Sequence, residues 1–123
     1  MDDERKQYGA QSEAAAIKIL RRKGYKIITR NFRTPLGEID IIAKHKGTLV
    51  FVEVKARRSI SYGDPKWAIT PSKQRTISKV ALTYLKMNGG TRTKARFDVV
   101  TVQHSTDPPK VEIIPNAFEL AYL

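Results

Sequence analysis

The stretch from Gly37 to Arg58, GEIDIIAKHKGTLVFVEVKARR, limits the fold more than any other part of the chain. Two runs rich in β-branched residues flank Lys46-Gly47, so the stretch reads as one β-hairpin. Period-2 alternation puts Glu38, Asp40 and Ile42 on one face of the first strand, and Ile39, Ile41 and Ala43 on the other. In the second strand Leu49, Phe51, Glu53 and Lys55 oppose Val50, Val52, Val54 and Ala56. Both strands are apolar on both faces, the pattern of buried central strands. Charged groups in such strands need a reason, because an unpaired buried charge is costly.

The register sharpens the point. With Lys46-Gly47 as a two-residue turn, cross-strand partners have numbers that sum to 93. Asp40 then lies opposite Glu53, and Glu38 opposite Lys55, with Cβ atoms roughly 5 Å apart. Two carboxylates at that spacing repel unless a proton or a cation lies between them. Carboxylate oxygens are hard ligands suited to Mg²⁺ or Mn²⁺. Such an ion activates water and polarises a phosphoryl oxygen, and a neighbouring lysine offsets developing negative charge. The bland alternative is a cross-strand ion pair in which Lys55 neutralises one carboxylate. It leaves the other carboxylate unpaired.

Around the hairpin, residues 3 to 23 read as a helix with Glu13, Ile17 and Leu20 along one stripe, and Gly24 closes it. Glu13 extends that apolar stripe, which leaves two readings: toward the sheet, or at the solvated edge. Tyr25 to Arg33 reads as a strand, and Thr34-Pro35-Leu36-Gly37 as a turn. Residues 57 to 70 carry no periodic pattern and leave directly from Lys55, so they read as a loop bordering the site. Arg57 and Arg58 are phosphate-contact candidates there. Tyr62 and Trp67 could stack on an unpaired base, although packing the loop onto the core is the commoner use of such rings. Thr70-Pro71 opens a second helix, with Ile77, Val80, Ala81, Tyr84 and Leu85 as its core stripe. Lys73 lies in its first turn, either at the site or at the surface. Ala95 to Val102 reads as a strand and Val111 to Ile114 as a short one, followed by NAFELAYL as a short helix or arm. Asp98 could be a further acid, but a structural pair with Arg96 or a helix-capping role is the commoner use of such a residue. His45 and His104 are not placed for catalysis.

GEID followed by VEVK, with VFVEVKAR, RFDVV and NAF, resembles the D…ExK signature of the PD-(D/E)xK nuclease superfamily. Nearly the whole chain is similar to the YraN-type family of predicted endonucleases, themselves similar to archaeal Holliday-junction resolvases. The resemblance implies a restriction-endonuclease-like α/β core: a mixed central β-sheet flanked by helices, in the order α-β-β-β-α-β-β. It implies Asp40, Glu53 and the carbonyl of Val54 as ligands of Mg²⁺ or Mn²⁺. Lys55 would orient the attacking water, and Glu13 would hold a water at the metal. It also includes a lysine at Lys73, a nucleic-acid contact together with Arg57 and Arg58. The family's first helix carries a GxxGE pattern, and here Ser12 stands in place of its second glycine.

Composition agrees with these expectations. At 123 residues the chain has room for a single domain. Lys and Arg outnumber Asp and Glu 23 to 12, and the net charge of +11 attracts polyanions without naming one. With no cysteine there is no disulfide, zinc–thiolate site or cysteine nucleophile. No long apolar run or signal-like start occurs, so a cytoplasmic protein that does not meet the membrane is expected. The leading expectation is a metal-dependent endonuclease acting on DNA, with branched or flapped DNA among its substrates. A non-catalytic nucleic-acid-binding module on the same fold is the alternative, and a scaffold in ribosome or RNA assembly rests on charge alone. Since a junction resolvase cuts two strands, a symmetric homodimer is plausible by resemblance.

Overall fold

The computed structural model describes residues 2–57, 69–90 and 92–119, with the side chains of residues 2–8 and of Arg57 set aside. The elements run α1 (Asp2–Arg22), β1 (Lys26–Thr34), β2 (Gly37–His45), β3 (Thr48–Arg57), α2 (Pro71–Met87), β4 (Ala95–Gln103) and β5 (Lys110–Phe118). This is the expected order α-β-β-β-α-β-β in an α/β fold. The strands form one mixed sheet in the spatial order β1-β2-β3-β4-β5. Neighbours are antiparallel except β3 and β4, which run parallel because α2 carries the chain back between them.

The central strands are buried on both faces, as their composition requires. On one face α1 contributes Ala16, Ile17 and Leu20 to a cluster with Ile41, Val50 and Val100. On the other, Ile77, Val80, Ala81 and Leu85 of α2 pack on Phe51 and Val99. Thr70 caps α2 by accepting a hydrogen bond from the Lys73 N–H at 3.1 Å, and Pro71 occupies its first turn. Gly37 lets α2 lie close: a Cβ there would meet Thr76 Cγ2 at 2.7 Å, and its φ is +154°.

The hairpin register is the expected one, with Ile41 opposite Val52 and His45 opposite Thr48. Lys46 and Gly47 both have positive φ, 49° and 80°, as a two-residue type I′ turn demands. The face assignment needs one correction. Ile41 and Ala43 face α1, but Ile39 packs in the cluster under α2 with Ile42. Strict alternation slips at Asp40. The paired strand kinks at the same level, where Asn31 adopts φ +53°.

A second correction concerns the last strand. It is nine residues long and takes in Pro115 and Asn116, so the NAF segment is strand rather than helix. An edge strand tolerates Pro115 because its missing N–H is not needed by an inner neighbour. Asn116, at φ +50°, forms an irregularity whose N–H donates to Asp98 Oδ1 at 2.9 Å. No helix among the described residues is long and apolar enough to cross a membrane.

Candidate metal-binding and active site

Asp40 and Glu53 come together where β2 and β3 part. The recorded ladder between these strands ends at the Ile41–Val52 pair, whereas β3 continues alongside β4 to Arg57. Beyond that point the Asp40 side chain replaces the missing backbone partner. Its Oδ2 accepts the Val54 N–H at 2.8 Å. Glu53 projects on the α2 side and is only 5% exposed. A cavity of about 430 Å³ opens over the pair, lined by Asp40, Glu53, Val54, Lys55, Thr70 and Lys73.

The electrostatics are those of a site short of positive charge. Burial pushes the Asp40 carboxyl above the ordinary range, and the negative charges of Glu13 and Glu38 add to that. The Val54 hydrogen bond and the Lys73 ammonium pull it back. Glu53 is pushed up to about 8, by burial first and by Asp40 second, against the pull of Lys73. Glu53 therefore holds its proton to a higher pH than an ordinary carboxyl. Its Oε1 is buried with no hydrogen-bond partner. An orphaned buried oxygen beside a second carboxylate fits a hard divalent cation.

No group of three His, Cys, Asp or Glu side chains suited to a metal occurs among the described residues. Two carboxylates, Asp40 and Glu53, line the cavity beside Val54, and a cation held by so few protein groups would leave its remaining positions to water or substrate oxygens. Mg²⁺ is ordinarily held in this way rather than in an all-protein cage.

The sequence-derived residues are placed as follows. Asp40, Glu53, Val54, Lys55 and Lys73 share one cavity, and Lys55 is exposed. Lys73 enters from the first turn of α2, whose amide ends favour anions. Glu13 turns toward the sheet, with Oε1 3.6 Å from Arg30 Nε, and its charge is felt at Asp40. It does not line the cavity. Ser12, where the glycine of the GxxGE pattern would stand, is buried and hydrogen-bonds His104 Nε2 at 2.8 Å, so the substitution is packed rather than disruptive. Glu38 departs from expectation: instead of facing Lys55 it lies opposite Arg33 on β1 and pairs with it at 3.1 Å. Arg57 ends β3, while Arg58, Tyr62 and Trp67 lie outside the described residues.

Sequence reasoning missed Glu38 as a charge that helps to raise Asp40 and Glu53. Its place opposite Arg33 depends on the register of β1, which shifts at an irregularity between Ile27 and Thr29 that no residue pattern announces. Asp98 is structural as expected. It is fully buried and accepts from Arg96 Nε at 3.0 Å, the Tyr25 hydroxyl at 2.7 Å and the Asn116 N–H.

The sequence pattern of Uncharacterised protein family UPF0102 matches residues 12–102. The chain belongs to the UPF0102 family. A UPF0102 protein of Desulfosudis oleivorans is 56% identical over 119 residues, covering 97% of this chain and 95% of the relative. A UPF0102 protein of Geobacter metallireducens is 51% identical, covering 95% and 96%. Another, of Geobacter sulfurreducens, is 52% identical over 93% of this chain and 90% of the relative. The UPF0102 match spans α1 from Ser12 through β4 to Val102, and so includes every residue of the carboxylate cavity.

Proposed function

We propose that this UPF0102 protein is a metal-dependent endonuclease of the PD-(D/E)xK kind, hydrolysing phosphodiester bonds in DNA, branched or flapped DNA included. The observation that carries the reading is the buried, orphaned Glu53 Oε1 beside Asp40, with two lysines over the same cavity. An ordinary structural ion pair would not leave a carboxyl pushed up to about 8.

Asp40, Glu53 and the Val54 carbonyl would hold the cation. Mg²⁺ or Mn²⁺ supplies there a Lewis acid for the phosphoryl oxygen and a more acidic water. The chain does the rest. Glu53 gives up its proton when the cation is taken up, since the two compete for the same oxygen. Lys55 aligns the attacking water with the scissile bond and offsets the charge that grows on the phosphate. Lys73, with the amide end of α2 behind it, holds the neighbouring phosphate. Glu13 on α1 would hold a water at the site, and its charge adds to the negative potential felt at Asp40. A cytoplasmic setting and a symmetric dimer, one site per strand cut, complete the proposal.

The test uses labelled duplex, single-stranded, flap and four-way-junction DNA with Mg²⁺, Mn²⁺ or EDTA. Cleavage of at least one substrate, abolished by EDTA and by Glu53→Gln, is the expected result. Binding without metal-dependent cleavage on any substrate would instead make the protein a nucleic-acid-binding module.

A further inference from the structure

A second cavity, larger than the one over the carboxylates, lies among the described residues. It measures about 820 Å³ and lies at the opposite end of the sheet, where β2 ends at His45 and β3 and β4 begin. His45 lies five positions along β2 from Asp40, about 16 Å of strand. The volume is in the range of small-molecule sites, roughly 300–1,000 Å³.

Its chemistry is one-sided. Lys23, Lys46, Lys94 and Arg96 line it, and no acidic side chain does among the described residues. The three lysines are exposed and have no ion pair among the described residues. Arg96 is differently employed. It binds Asp98 at 3.0 Å, the Tyr25 hydroxyl at 3.2 Å and His45 Nδ1 at 2.7 Å, and it sits 5.7 Å from the centre of the Tyr25 ring. Tyr25 and His45 are stacked in parallel, 4.0 Å between ring centres. The fully buried Asp98 ties this set together and also anchors β5 through the Asn116 N–H. The wall is therefore rigid, aromatic and preorganised, and Ile113 and Pro115 of β5 supply an apolar side. Unpaired cations next to flat apolar surface match a ligand with an anionic end and a planar ring.

We propose that this cavity is a second binding site, for a nucleoside phosphate, taken either as a free nucleotide or as the terminal nucleotide of a strand. The lysines hold the phosphate, and the Tyr25–His45 and Ile113–Pro115 surfaces cover the base and sugar. The site uses none of the carboxylate residues, so it stands or falls separately from the nuclease reading.

The test is titration by calorimetry and NMR, in EDTA and at physiological ionic strength, with AMP, inorganic phosphate and a 5′-phosphorylated trinucleotide. Saturable AMP binding that shifts the amide signals of Lys46, Lys94 and Asn116 is expected. The double variant K46E/K94E changes two exposed positions and should melt like the wild type while losing affinity about tenfold or more. Asp40→Asn should bind AMP as the wild type does. A trinucleotide that binds more tightly than AMP identifies a strand end as the ligand, and the reverse order a free nucleotide. Absence of saturable AMP binding overturns the proposal, as does affinity undiminished in K46E/K94E. Inorganic phosphate that binds as tightly as AMP removes the nucleoside and overturns it too.

Discussion

The Asp40 carboxylate accepts the Val54 N–H at 2.8 Å, across the gap where β2 leaves β3. One side chain thus closes a ladder and creates a charge beside Glu53. Asparagine keeps the acceptor and drops the charge, so Asp40→Asn separates the two roles. The metal-free variant should melt at or above the wild type, because the repulsion that raises Glu53 is gone. Mn²⁺ should raise the wild-type Tm by several degrees and leave the variant almost unmoved. At ~100 times its dissociation constant a ligand adds ~2.7 kcal/mol, enough for such a shift. A variant that melts clearly lower, with no metal-induced shift in the wild type, would falsify the metal site.

Glu53 gives the metal-free protein a distinctive pH profile. Its folded pKa of about 8 lies above the ordinary 4.5, so between those values the folded state binds the extra proton. Stability is therefore greatest, as far as this group is concerned, below pH 4.5. It declines as pH rises and levels off above about 8. Glu53→Gln should remove this decline from denaturant melts measured between pH 5 and 8.5. Mn²⁺ affinity should rise over the same window as the proton leaves, which calorimetry in buffers of different ionisation enthalpy would read as proton release.

Lys55→Ala should lower cleavage ~10²-fold or more while DNA affinity stays within a few-fold. Lys55 is one of 23 cationic side chains, so it carries a small share of a diffuse attraction. Gel-shift and single-turnover cleavage assays on the same substrate check this, and equal losses in both would sink its role at the reacting phosphate.

Asp98→Ala should cost about 3 kcal/mol, because it leaves Arg96, Tyr25 and the Asn116 N–H without their common acceptor. Asp98→Asn should cost less, since it keeps the shape and part of the bonding. Urea melts compare the two, and equal stability of Asp98→Ala and wild type would deny the network its structural role.

Much of this arrangement is legible in the chain. Lys46-Gly47 is a two-residue turn with a strong geometric preference, so the register of β2 on β3 follows from it. The parallel β3–β4 pair follows from a helix-length stretch between two apolar strands. Thr70-Pro71 marks the start of α2 for a local reason. Local pattern fails where non-local packing decides. The irregularity in β1 and the left-handed Asn31 turn Ile39 toward α2 and bring Arg33 rather than Lys55 to Glu38. The length of β5 hides behind Pro115, which reads as a stop unless the strand is known to be an edge. The basic cavity joins residues from four separate stretches, so no spacing in the sequence reveals it.

Gly37 carries a consequence for the chemistry although it bears no functional group. With a hydrogen in place of a methyl, it works as a shim that fixes how far α2 stands from the sheet. Lys73 rides on that helix, and its pull on Glu53 depends on the same clearance. An added carbon at position 37 would meet Thr76 Cγ2 at 2.7 Å, so the Thr76 side chain or the helix that carries it must give way. The tolerance of the site is thus set in part by the thickness of a contact at a residue that carries no chemistry, with the backbone angle there as a second constraint.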